Sequence, residues 1–322
     1  MAQPNKFDRQ GILTDTSLPE VYRKLVELAE EFSVLGEIDT AKDLVSLLLQ
    51  DTTSQWQRKQ LHHFEPFFAA AQENRGPWQR QSKPMKDVLL ELERNTKPKS
   101  LGYWEEMEQD PPETLFNLPP ATDEQISSLE KRLKVTLPDD YKEFLKITNG
   151  FGGTWNGFHL DPPLHSVDDV QWSDPLFEVP YVQFHENISG VLVLDLPKRD
   201  DWPNSGPNIE IGREDVLGIL LITPDCTKKV LEAYDTALEG SDISEDDKKQ
   251  EMKVIEAHYG SYDEMKKLDW ATIEFHDSED IPCGTFRQFL ENRLRRTTTV
   301  GYPDENSKEA GSLAYSCLAD NS

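Results

Sequence analysis

Cysteine is scarce in this chain: Cys226, Cys283 and Cys317 stand far apart, and no CxxC pair occurs. Three scattered thiols exclude a disulfide framework and a thiolate zinc site, and they suit a reducing compartment. Long apolar runs are missing too. No stretch approaches the ~18 consecutive apolar residues that a membrane-spanning helix needs, and Met1-Ala2-Gln3-Pro4-Asn5-Lys6 opens no signal-like run. A cytoplasmic protein without membrane insertion is therefore expected, and the glycosylation triplet Asn187-Ile188-Ser189 goes unused. The third shortage is positive charge. Lys+Arg 34 against Asp+Glu 60 gives −26 over 322 residues. Such a surface repels phosphate backbones and anionic headgroups. The best basic run, Arg293, Arg295 and Arg296, reads as decoration of a helix end, so no nucleic-acid partner is expected.

What is present is an ordinary supply of core-forming residues, 36% hydrophobic, patterned in two regimes. Residues 1–16 are polar and aperiodic and are expected to form a flexible tail. Ser17 and Glu20 then make a capping-box pattern. Leu25, Leu28, Ala29 and Phe32 follow at helical spacing, and Ala41, Leu44, Val45 and Leu48 repeat it beyond Gly36. The pair resembles one tetratricopeptide-type hairpin, yet a solenoid needs about three repeats. Residues 17–96 are read as a plain helical subdomain. It carries further stripes at Leu61, Phe64, Phe67, Phe68 and Ala71, and at Met85, Val88, Leu89 and Leu92. Residues 97–114, rich in proline and polar side chains, are read as a linker.

The sharpest local signal comes next. Thr122 and Gln125 stand in capping-box positions before Ile126, Leu129 and Leu133. Leu137-Pro138-Asp139-Asp140 opens a second helix with Tyr141, Phe144 and Leu145 on one face, closed by Asn149-Gly150. Beyond it the period shortens. Strands are expected at residues 177–182, 190–194, 208–211, 218–223 and 272–275, of which 191–194 and 219–222 are apolar on both faces and belong at the sheet centre. Residues 224–268 form a helical insertion, Thr285 and Gln288 cap a last helix, and residues 297–322 read as a disordered tail.

A search for chemistry finds little. There is no Gly-x-Ser-x-Gly elbow and no phosphate-cradling glycine loop. Cys226, Cys283, His258 and His276 assemble a thiol site only on paper. His62-His63 are adjacent, so their side chains diverge on a helix. Asp242-Ile243-Ser244-Glu245-Asp246 imitates a calcium loop, which then fails at Asp247, where glycine is needed, and at Lys253, where the bidentate Glu belongs. No cofactor and no metal are expected. Ser244, followed by three acids, is a candidate phosphorylation site.

The residues that stand out are aromatic. Gly152-Gly153-Thr154-Trp155-Asn156-Gly157 sets a large ring in a glycine-rich loop, with Phe158, Trp172 and Tyr181 after it. Rings on loops make binding anchors, and Asp161, Asp168 and Asp169 could rim such a site for a basic segment. The candidate partner-binding residues are Trp155, Phe158, Asp161, Trp172 and Tyr181. The competing reading is that Trp155 and Trp172 complete the core.

The stretch from Ala121-Thr122-Asp123-Glu124-Gln125-Ile126 through Leu137-Pro138-Asp139-Asp140-Tyr141 to Thr148-Asn149-Gly150-Phe151-Gly152 resembles the opening of a SUKH domain. The closing Phe286-Arg287-Gln288-Phe289-Leu290 fits as well, so the likeness covers residues 115–296, weakening between 213 and 267. It implies an α+β fold, helices packed on a mainly antiparallel sheet, here preceded by an all-α helical N-terminal subdomain. It also implies function by protein binding. Bacterial members act as immunity proteins, and the fungal Smi/Knr-type branch comprises regulators of glucan synthesis and cell-wall integrity signalling. The resulting expectation is a non-catalytic regulatory adaptor whose partners are other proteins, basic segments among them. The rivals are an enzyme with a cryptic cysteine or carboxylate site and a purely helical scaffold.

Overall fold

The computed structural model describes residues 83–156, 159–174, 179, 182, 184, 202–240, 243–275 and 280–299. The chain divides into two compact units, Met1–Trp78 with Pro303–Ser322, and Gln79–Tyr302. All described residues belong to the second. The expected helical hairpin at residues 17–48 and the strand at 190–194 lie outside the described residues. So do the tail beyond residue 299 and most of the strand at 177–182.

The described chain opens with helix α1 (Met85–Lys99), whose stripe Met85, Val88, Leu89 and Leu92 is buried as the spacing requires. The helix does not stop at the proposed linker. It runs through Lys97-Pro98-Lys99, because a proline in the last turn forfeits a single donor and other bonds secure the end. The Ser100 N–H donates to the Thr96 carbonyl at 3.0 Å. The Lys97 and Lys99 ammonium groups donate to the carbonyls of Glu113 and Thr297. A short helix α2 (Leu101–Glu106) follows.

Helix α3 (Asp123–Leu133) has the expected reciprocal cap. The Thr122 N–H donates to Gln125 Oε1 at 2.9 Å, and the Gln125 N–H to Thr122 Oγ1 at 3.3 Å. Helix α4 (Asp139–Leu145) starts directly after Pro138 and buries Tyr141, Phe144 and Leu145.

Five antiparallel strands make one sheet in meander order: β1 (Gln171–Trp172), β2 (Asn208–Glu214), β3 (Leu217–Ile222), β4 (Ala271–Phe275) and β5 (Asp280–Gly284). Between β3 and β4 run α5 (Pro224–Glu239), α6 (Glu245–Tyr259) and α7 (Tyr262–Met265), and α8 (Phe286–Thr299) closes the described chain. The β2–β3 register shifts between Glu210 and Gly212, a bulge that ends at Gly212. A Cβ there would sit 2.5 Å from the Pro163 carbonyl oxygen, so the close approach of residues 163–164 to the sheet demands glycine.

The sheet lies between two helical layers. Side chains alternate along β3: Ile219 and Leu221 pack into one core with α1, α3, α4 and α8, while Leu220 and Ile222 pack into the other. Ala271 and Ile273 of β4 join that second core with Val230 and Tyr234 of α5. The two-sided apolar run at 219–222 therefore sits at the centre of the sheet. The fold is α+β, helices on an antiparallel sheet.

One charged group crosses this interior. Arg293 of α8, expected on a helix surface, is 1% exposed. Its Nε donates to Glu274 Oε1 of β4 at 2.8 Å, its Nη1 donates to the Pro162 carbonyl at 3.0 Å, and Asp161 lies 3.6 Å from Nε. The guanidinium also stacks 4.6 Å from the Phe289 ring centre.

Candidate partner-binding groove

The glycine-rich aromatic loop is not a mobile surface anchor. Trp155 is 1% exposed; its backbone N–H donates to Thr96 Oγ1 of α1 at 3.1 Å, and it bridges Leu160 in a small hairpin. Gly153 is there for contact: a Cβ would meet the Asp161 carbonyl oxygen at 2.6 Å. Asp161 is equally buried. It accepts from Asn156 Nδ2 at 2.9 Å and Thr154 Oγ1 at 3.3 Å beside Arg293. Trp155 and Asp161 thus complete the interior, and the reading of them as partner anchors is corrected. Phe158 and Tyr181 lie outside the described residues.

Trp172 is placed differently. It is 38% exposed at the end of β1. Its position is set from behind by Arg132 of α3, whose Nη2 donates to the carbonyls of Val167 and Val170 at 2.6 and 2.8 Å. Three bonds from one guanidinium, counting Nη1 to the Asp168 carbonyl at 3.2 Å, fix the turn that delivers the indole. Asp168 and Asp169 sit on that turn, where Asp169 accepts from Ser166 Oγ at 2.6 Å.

The indole borders a groove of about 1290 Å³. Its walls are the start of α4 with the preceding turn (Val135 to Asp139), the loop 202–207, one face of α5 from Pro224 to Ala237, and Asp269-Trp270 ahead of β4. Two further indoles, Trp202 and Trp270, line it at 7% and 8% exposure, and four prolines join them: Pro138, Pro203, Pro207 and Pro224. The volume exceeds the ~300–1,000 Å³ of an ordinary small-molecule pocket, and indole and pyrrolidine rings are stiff, so little side-chain entropy is lost when a ligand packs on them.

The loop wall is pre-organised. Trp202 Nε1 donates to the Val182 carbonyl at 2.8 Å and its ring meets Tyr234 edge-on at 5.2 Å. Val179 and Ser205 exchange two bonds of 2.9 Å, and Asn208 Nδ2 donates to Ser205 Oγ at 3.1 Å. Cys226, in the first turn of α5, donates its S–H to the Asn204 carbonyl at 3.1 Å. Burial pushes this thiol up to about 11, the field of Lys229 notwithstanding. Such a thiol is a poor nucleophile near neutrality. The side chains of His258 and Cys283 lie outside the described residues.

The rim is acidic. Asp139, Asp225, Glu232 and Asp269 are exposed on it, against one cation, Lys229. Among the described residues no three His, Cys, Asp or Glu side chains gather as metal ligands, and no helix is long and apolar enough to cross a membrane. Ser244 is exposed just ahead of α6.

Sequence reasoning found Trp172 but missed Trp202, Trp270 and the prolines, because the groove joins segments spread from Val135 to Trp270. The available signal is the run Trp202-Pro203-Asn204-Ser205-Gly206-Pro207, which sets an indole between turn-forming residues.

Residues 120–206 match the model of the SMI1 / KNR4 family (SUKH-1). That segment contains α3, α4, β1 with Trp172, and the groove wall from Trp202 to Gly206. No curated protein and no solved structure matches the chain.

Proposed function

From a chain that carries a SMI1/KNR4-type (SUKH-1) segment at residues 120–206, we propose a non-catalytic, cytoplasmic regulatory adaptor that grips partner proteins in the tryptophan-lined groove. By likeness to the Smi/Knr-type branch, its setting is the regulation of cell-wall glucan synthesis and cell-wall integrity signalling. The observation that carries the reading is the exposed Trp172 at the mouth of a groove floored by Trp202 and Trp270. Large rings presented by a rigid frame are what interface hot spots are made of, and the frame here is the Arg132-clamped turn and the bonded 202–207 loop. The raised thiol of Cys226 supports a binding role for the groove rather than covalent chemistry.

The test is quantitative affinity capture from cell extract with the full chain, with Trp172→Ala and with Trp172→Phe, each shown to be folded by its thermal transition. A partner set retained by the natural chain, lost from Trp172→Ala and largely kept by Trp172→Phe is expected. Equal capture by folded Trp172→Ala removes the groove from the function.

A further inference from the structure

Resting on the protein-binding reading of the groove, we propose that its ligand is an arginine-bearing peptide segment of the partner, with one guanidinium lying on the Trp172 indole and others meeting the rim carboxylates. The charge of the rim carries this. Four carboxylates to one ammonium is a steeper imbalance than the 60 to 34 of the whole chain. The four come from three separate elements. Asp139 starts α4, Asp225 and Glu232 lie on α5, and Asp269 precedes β4. They therefore edge the groove on several sides rather than forming one patch.

Asp139 is already engaged by Lys142 at 2.9 Å, and Glu232 stands 3.9 Å from Lys228. Asp225 and Asp269 are exposed and have no cationic partner among the described residues, which leaves their field for a ligand. Arginine answers both features of the site. Its planar, weakly hydrated guanidinium stacks on aromatic faces and forks onto carboxylates, whereas a lysine ammonium is a compact hydrated point charge. Indoles are the best cation–π acceptors among the side chains, and Trp172 offers over a third of its surface.

The probe is a fluorescein-labelled octapeptide of alternating Arg and Ser, titrated by anisotropy into the full chain at low and physiological salt. Alternating Lys-Ser and Glu-Ser peptides serve as comparisons. The Arg peptide is expected to bind tightest, Lys-Ser several-fold weaker, and Glu-Ser not at all. Trp172→Ala lowers affinity for the Arg peptide about tenfold. Asp225→Asn with Asp269→Asn lowers it about tenfold and flattens the salt dependence. Lys229→Glu, which removes the opposing cation, tightens binding about threefold. Neutralising Glu105 and Glu106 on α2, away from the groove, leaves it unchanged.

An equal loss from the α2 pair, or unaltered binding by the Asp225 and Asp269 double variant, overturns the proposal. The two readings fail separately. Cellular partners captured through Trp172 but indifferent to Asp225 and Asp269 remove the arginine ligand and leave the adaptor standing. Capture indifferent to Trp172 removes the adaptor's groove itself.

Discussion

Arg293 sets both its Nε and its Nη2 at 2.8 Å from a single oxygen, Oε1 of Glu274, inside a core where neither side chain exceeds 2% exposure. Asp161 supplies a second carboxylate at 3.6 Å. A buried pair of this kind adds little net stability compared with an apolar pair, but removing one partner strands the others in a medium that cannot solvate them. Arg293→Met therefore removes the cation that faces both carboxylates. The expected loss is about 3–5 kcal/mol, read as a fall in the urea midpoint. The triple change Arg293→Met, Glu274→Gln, Asp161→Asn should recover part of that loss, because no charge is left buried. A single Arg293→Met variant as stable as the natural chain would show that the site is wet.

Trp155 and Trp172 make a matched contrast. Trp155→Ala opens a cavity beside α1 and should cost about 3–5 kcal/mol with no selective effect on binding. Trp172→Ala removes a ring that is 38% exposed and fills no closed core, and should cost clearly less, about 1–2 kcal/mol, while weakening partner capture. Denaturant curves and capture on the same two proteins separate them, and equal destabilisation by both would contradict the exposure difference.

The folding unit reaches back to α1. Leu89 and Leu92 are fully buried in the same core as Phe286 and Phe289. The Leu115 N–H donates to Glu93 Oε1 at 2.9 Å, and the Arg287 guanidinium to the Lys83 carbonyl. A fragment of residues 115–296, the extent of the family likeness, should lack a cooperative thermal transition. Residues 79–302 should keep one. In the full chain, Leu89→Ala is expected to cost about 2–5 kcal/mol.

Cys226 gives a pH signature. Its folded-state value, about 11, lies above the ordinary 9.0, so folding favours the protonated thiol. The stabilisation is complete below pH ~9 and is lost as pH rises through about 11. Cys226→Ser should flatten the decline of stability across that window. Alkylation of the natural chain at pH 8, located by mass spectrometry of the Cys226 peptide, should be far slower folded than unfolded. Rapid, selective labelling at neutral pH would instead favour a catalytic thiol.

How much of this was visible in the sequence depended on how local the determinant is. The Thr122/Gln125 and Thr285/Gln288 caps, the α3 and α4 stripes and the two-sided strand at 219–222 need only neighbours a few residues away, and all were legible. The short strands β1 and β5 were not. Two residues, Gln171 and Trp172, carry no alternation, and Asp280-Ile281-Pro282-Cys283-Gly284 contains the residues that usually argue against a strand. It is an edge strand, which tolerates proline. The linker reading failed at Pro98 because tertiary bonds to Glu113 and Thr297 outweighed a local helix breaker. Nothing in the residues flanking Trp155 and Trp172 tells which indole is covered. What separates them is whether α1 happens to lie overhead, a fact no window of sequence contains.

The pairing of α1 with α8 has a mechanical side. Lys83 meets Arg287 at one end and Asn95 meets Thr297 at the other, so the two helices run in the same direction. Residues 83 and 299 thus lie at opposite ends of the helix pair, about 20 Å apart at 1.5 Å per helical residue. Tension applied between residues 83 and 299 would slide the two rods along their shared axis, loading every interlocked Leu and Phe simultaneously instead of peeling them apart one turn at a time.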